Sequence, residues 1–267
     1  MIYTDYEVGK MSFKQWLFSE GINKISHEEY LYQTRHLIAI GLAIGLVIFF
    51  GILFKHNKKR QNIVLTTIAV ILLFFEMTSR IINFIELNEY TFVKLYDCLI
   101  PCHFCSVMVV LMIITHFFKI EKLFTIISVG GILATSTFLI YPAVGFNTEI
   151  IGFSQLYSIS SHVLGFIYAV LLLIYHKATL NLVNLKRIII FFGIIIIYGI
   201  LLEFVINPGS NYYYFFEDEI GLNAPLFVYQ LLIGSIVVSY IAIIYFINHI
   251  INKYILPKLS KKIKYIK

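Results

Sequence analysis

The sequence predicts an all-α membrane protein, a polytopic bundle of about seven transmembrane helices with its N-terminus outside and its C-terminus in the cytoplasm. Three observations predict it. Hydrophobic residues fill 59% of the 267 positions and charged residues only 13%, against about 25% in a water-soluble domain. Apolar runs long enough to cross hydrocarbon recur seven times, and in lipid such runs must close their backbone hydrogen bonds internally, as helices. Loops rich in Lys and Arg alternate with loops that have none, the pattern that orients a membrane chain.

The spans run from His36 to Phe54, Ile63 to Phe84, Leu95 to Phe118, Leu123 to Pro142, Gln155 to Tyr175, Ile188 to Ile206 and Ala224 to Ile251. They divide the chain into an N-terminal interfacial segment (1–35), a single seven-helix transmembrane domain (36–252) and a basic cytoplasmic tail (253–267). Nothing near Met1 resembles the apolar core of a cleavable signal peptide. Met11 to Leu17, with Phe13 and Trp16, is expected to form a short helix at the headgroup level, where Trp anchors.

Orientation follows from the loops. Lys55, Lys58, Lys59 and Arg60 follow the first span, Lys119 and Lys122 the third, and Lys177, Lys186 and Arg187 the fifth. Six lysines close the chain from Lys253 to Lys267, whereas the loops Ala143 to Ser154 and Asn207 to Asn223 carry only acids. The basic side is therefore cytoplasmic. A formal charge of +6 distributed this way points to anionic headgroups, not nucleic acid. Membrane lipids are the expected partners, and nothing in the sequence specifies an oligomeric state.

Polar and reactive residues converge near the outer surface. Cys98, Cys102 and Cys105 start the third span, and spacings of four and three put them on one face of a continuous helix, within about 60° of arc. His103 lies beside them. His162 enters the fifth span to the same depth as Cys102, roughly 10 Å in at 1.5 Å per residue, so the two are expected to face each other. Arg80, Glu203, Asn207 and Asn211 lie at the outer ends of neighbouring spans. Glu76 and Arg80, four apart, are expected to pair, with Glu203 as a further partner of Arg80. Each has a plainer reading: cysteine as a small core residue, His162 as a helix–helix hydrogen-bonding residue, Asn207 to Asn211 as a turn.

Three chemistries suit the thiols. The cysteines and a histidine are zinc-ligand types, but one helical face cannot surround a tetrahedral ion, so no metal is expected. Cys102-His103-Phe104-Cys105 has the C-x-x-C spacing of a dithiol redox centre, without a second pair to pass electrons on. A thiol near a helix start and an imidazole can also carry an acyl group as a thioester.

Ile100-Pro101-Cys102-His103-Phe104-Cys105 resembles the P-x-H-[LF]-C signature of the bacterial YwaF-like integral membrane proteins. Gly130-Gly131 with Pro142, His162 after an aromatic lead, and Asn207 through Asn211-Tyr212 are similar to later blocks of that family, in the same order, over Leu95 to Phe216. The resemblance implies a bacterial plasma membrane. It also implies kinship with eukaryotic cysteine-dependent transmembrane phospholipid acyltransferases, whose essential histidine falls on His162 and whose cysteine falls on Cys105 or Cys102. The expected function is thus a thiol-dependent lipid acyltransferase acting on phospholipid acyl chains at the outer leaflet, without a cofactor. Cys105, Cys102 and His162 are its catalytic candidates, and His103, Arg80, Glu203, Asn207, Asn211 and Tyr212 its substrate-binding candidates. A non-catalytic lipid or small-molecule carrier and a membrane thiol–disulfide oxidoreductase are the alternatives.

Overall fold

The computed structural model describes residues 12–18, 23–26, 30–87, 89–141, 145–208 and 225–250. Among the described residues, regular structure is helical apart from one isolated bridge between Lys24 and Thr148. A short helix, α1 (Phe13–Phe18), precedes the first two spans, α2 (Thr34–Leu53) and α3 (Lys58–Ile85). The third span is a pair, α4 (Phe92–Leu99) and α5 (Phe104–Phe117). Then come α6 (Phe124–Ile140), α7 (Phe153–Ile174), α8 (Leu182–Leu201) with a π-helical turn at Leu202–Ile206, and α9 (Leu226–Ile250). Six helices are singly long and apolar enough to cross a membrane, and the bent α4–α5 pair brings the number to seven if it is counted as one span.

Helix starts lie outside the apolar runs because polar caps set them. Asn57 accepts from the Arg60 N–H at 3.0 Å, and α3 begins at Lys58, not Ile63. Asn181 accepts from the Asn184 N–H at 2.8 Å, and α8 begins at Leu182, not Ile188. Such caps satisfy backbone donors that the helix itself leaves open. Hydropathy does not register them.

The core is organised around α6. Of its residues only Thr137 and Ile140 are not buried, the pattern of a helix surrounded by others. Gly130 and Gly131 let neighbours approach: a Cβ at Gly131 would collide with Met112 Cε and come within 3.0 Å of Ala169 Cβ. Ser128 seals the α6–α7 contact by donating to the Ala169 carbonyl at 2.7 Å. At the other extreme, α9 buries only Tyr229 and Ile244. Exposed side chains such as Leu42, Phe74, Ile189 and Phe227 form the lipid-facing exterior.

The described residues ahead of α2 make contacts with the outer ends of later elements. Trp16 Nε1–H donates to the Ile151 carbonyl at 3.0 Å and the indole meets the Phe153 ring edge-on. Farther on, Ile25 N–H donates to Asn147 O at 2.9 Å and Glu149 N–H to Asn23 O at 3.1 Å.

Candidate functional site

The third span is broken where the sequence carries its signature. Pro101 has no N–H and disfavours helical backbone in the residue before it. Ile100 is extended (φ −105°, ψ 138°), as is His103 (φ −72°, ψ 144°), and α4 meets α5 at 53°. The three cysteines therefore do not share one helical face. Cys98 lies in the last turn of α4, Cys102 in the break, and Cys105 in the first turn of α5.

The break opens onto a cavity of about 310 Å³. Cys98, Cys102, His103 and Arg80 line it with Glu76, Asp97, Ser106 and Tyr157. The Cys102 thiol lies 3.6 Å from Asp97 Oδ1 and 3.4 Å from the Ile100 carbonyl, with both oxygens as acceptors. Asn207 Nδ2 reaches Asp97 Oδ2 at 3.5 Å. The predicted Glu76–Arg80 pair forms, with Arg80 Nε donating at 2.9 Å and Nη2 closing on the same oxygen. Arg80 Nη1 donates to the Cys98 carbonyl at 3.2 Å, fixing the end of α4. Glu203 lies buried in the π-helical turn.

Tyr157 completes the charge cluster by donating to Glu76 Oε2 at 2.7 Å. On the far side Tyr198 donates to the Pro101 carbonyl at 3.1 Å and contacts the Tyr96 hydroxyl at 3.1 Å. The sixth span thus holds the break in two places, through Tyr198 and Asn207. Intramembrane carboxylates held this closely by donors are costly to assemble, which makes the cluster the candidate site.

Cys105 and His162 are placed differently. Cys105 is half-buried against the core, within electrostatic range of Glu76 and Tyr157. His162 does not line the cavity. Its Nδ1–H donates to the Ser158 carbonyl at 2.7 Å, and its ring stacks on Phe138 of α6 with centroids 3.9 Å apart and 13° between planes. The reason is helical phase: Tyr157 takes the cavity-facing position on α7, and His162, five residues on, is turned by about 140°. In the neutral ring this bond leaves Nε2 with a free lone pair, the form a proton acceptor needs. Asn211 and Tyr212 lie outside the described residues, as does the tail 253–267.

Sequence reasoning passed over Asp97, Tyr157 and Tyr198. Asp97 carried a signal, since an ionisable residue inside a span is a site candidate by default. The tyrosines carried none, being three of a very common residue type here counting Tyr96. Among the described residues no group of three or more His, Cys, Asp or Glu side chains is arranged to hold a metal.

No curated protein and no solved structure matches the chain. The model of the TMEM164 family, in contrast, matches residues 31–251, every described span with the break and its cavity included, and the chain belongs to that family.

Proposed function

We propose that this multi-pass membrane protein is a thiol-dependent transferase of lipid acyl chains, working at the outer leaflet. The observation that carries the reading is a cysteine thiol, Cys102, lining a cavity inside a helix bundle with a carboxylate as its hydrogen-bond acceptor. In the reaction the sulfur attacks the ester carbonyl of a donor phospholipid while its proton passes to a base. The lipid alkoxide leaves with that proton, and a thioester remains on the protein. A hydroxyl of an acceptor lipid then attacks the thioester, returns its proton through the same base and regenerates the thiol.

Cys102 is the nucleophile that the cavity favours, and Cys105 the one that the family resemblance favours. Asp97, which accepts from the Cys102 thiol, is the base that the cavity favours, and His162, outside the cavity lining, the base that the family resemblance favours. Arg80, His103 and Asn207 are the groups to orient a headgroup or hold the oxyanion, and Glu203, Asn211 and Tyr212 belong to the same proposal. Purified protein incubated with labelled phospholipid is the test. A hydroxylamine-sensitive label at one cysteine supports the reading, and no lipid-derived thioester under any condition overturns it.

One observation favours a second reading, a lipid or small-molecule carrier. Discontinuous helices whose ends meet at a binding cavity are the architecture of secondary transporters, and the α4–α5 break has that form. A carrier would keep its binding after all three cysteines were replaced.

A further inference from the structure

We propose that the start of the first span, with Tyr32 just ahead of it, belongs to the site and positions His162 through a stack of aromatic rings. The inference rests on the reading of His162 as a proton acceptor.

The stack is continuous from Tyr32 to the imidazole, beginning where Tyr32 stacks on His36 with centroids 5.3 Å apart and 28° between planes. Phe138 lies flat against His162 and fixes its ring plane, while the Ser158 bond fixes its tautomer. Phe138 is confined in turn by Gly145, whose φ of +106° is a backbone conformation that L side chains rarely adopt. A Cβ there would come within 3.0 Å of Phe138 Cζ, so the outer loop's backbone rests on the ring. The next residue, Phe146, meets Phe138 at 5.9 Å and His36 at 5.2 Å between centroids.

His36 anchors the far end. It is fully buried; the Tyr32 N–H donates to its Nδ1 at 3.0 Å and its Nε2–H donates to the Leu139 carbonyl at 3.0 Å. That is the opposite tautomer from His162, and Leu139 is the neighbour of Phe138. Arg35 adds a bond to the Glu149 carbonyl at 2.7 Å, and Tyr32 OH one to the Ile140 carbonyl at 2.9 Å. Residues 32–36 therefore hold both ends of the loop between the fourth and fifth spans. A core histidine needs only satisfied nitrogens. A base needs one tautomer and one direction as well, and rings locked by their neighbours supply both. Phe138, Phe146 and His36 are positioning residues in this sense.

The test uses the full chain in nanodiscs with ¹⁵N-labelled histidine, the His162 signal being assigned by its loss in His162→Gln. Wild type should hold His162 as the Nδ1–H tautomer. With the ring free to turn away from the Ser158 carbonyl, Phe138→Leu, Phe146→Leu and His36→Leu should each raise the minor tautomer, by roughly two- to tenfold for a weakened hydrogen bond worth about 0.5–1.5 kcal/mol. Phe138→Tyr, which keeps the stack, should retain the wild-type population. The His116 signal, from the opposite end of the bundle, reports whether each variant is folded. An unchanged His162 tautomer in folded Phe138→Leu and Phe146→Leu overturns the proposal. Failure of the acyl-transfer reading shows separately, as a wild type with the expected tautomer that forms no thioester.

Discussion

The Tyr157 hydroxyl donates to Glu76 Oε2 at 2.7 Å, joining the fifth span to the second through the oxygen that Arg80 leaves open. Glu76 is thereby satisfied at both oxygens although it is buried. Removing one member of a buried ion pair typically costs about 3–5 kcal/mol, because the other charge stays desolvated. Glu76→Gln should therefore lower the unfolding midpoint in nanodiscs more than the double change Glu76→Gln/Arg80→Gln. Tyr157→Phe removes one intramembrane hydrogen bond, an effect of about 0.6–2 kcal/mol. Single changes that simply add in the double-mutant cycle would show that the pair is not coupled.

The glycines separate packing from spacing. Gly131→Ala drives a methyl into Met112 and Ala169, whereas Gly45 has nothing within 4 Å of its Cβ position. Overpacking a tight core costs about 1–3 kcal/mol, so Gly131→Ala should destabilise and Gly45→Ala should not. Met112→Ala, which vacates the contested space, should recover part of the loss in the Gly131→Ala background. Equal midpoints for the two alanine variants would mean that α6 is less closely surrounded than the structure has it.

The helical spans were legible because hydrocarbon selects on bulk apolarity, which a sequence states directly. The ends of α3 and α8 were not, since Asn57 and Asn181 start those helices in polar loops. At the site, the Glu76–Arg80 pair could be read from its spacing along one helix. The reading of Cys98, Cys102 and Cys105 as one stripe failed on Pro101: its local effect on Ile100 outweighed the apolar pattern that continued through the break. Matched depth placed His162 at the level of Cys102, but depth carries no phase, and Tyr157 holds the cavity-facing position. The tyrosine contacts join residues about a hundred positions apart, beyond any local pattern.

Orientation rests on the alternation of basic and acidic loops and is open to direct measurement. In a background without native cysteines, Lys58→Cys and Glu149→Cys place exposed thiols on opposite sides of the predicted membrane. An impermeant maleimide applied to intact cells should label Glu149→Cys and spare Lys58→Cys until the membrane is opened. Labelling of both from outside would overturn the N-out, C-in arrangement.

Tyr198 offers a handle on the break itself. Its hydroxyl holds the Pro101 carbonyl, next to the cavity-lining thiol of Cys102. Tyr198→Phe removes that bond with little change in volume, so the break should open more often. Alkylation of Cys102, measured with Cys98 and Cys105 changed to alanine, should be faster in Tyr198→Phe. A hydrogen bond worth about 0.6–2 kcal/mol in a membrane sets the expected acceleration at roughly three- to thirtyfold. An unchanged rate would mean that Asn207 and the packing of α8 hold the break without Tyr198.

The thiols decide among transfer, redox and carriage. Under transfer, serine at one cysteine alone should abolish the lipid thioester, and the identity of that residue separates Cys102 from Cys105. His162→Gln should slow both formation and breakdown, since general-base assistance contributes about 10²–10⁴-fold. A redox centre would require Cys102 and Cys105 together and would cycle through a disulfide. The geometry permits that more readily than a continuous helix would, because Cys102 precedes α5 and Cys105 lies in its first turn. Disulfide formation needs Cα atoms about 4.4–6.8 Å apart with aligned Cβ vectors, and only the break lets residues three apart approach that alignment. Mass spectrometry of the isolated protein distinguishes the two, as an acyl adduct on one thiol or a loss of two hydrogens across both. Unimpaired binding and transport in the Cys98→Ala/Cys102→Ala/Cys105→Ala variant, with neither adduct nor disulfide in the parent, would leave carriage alone.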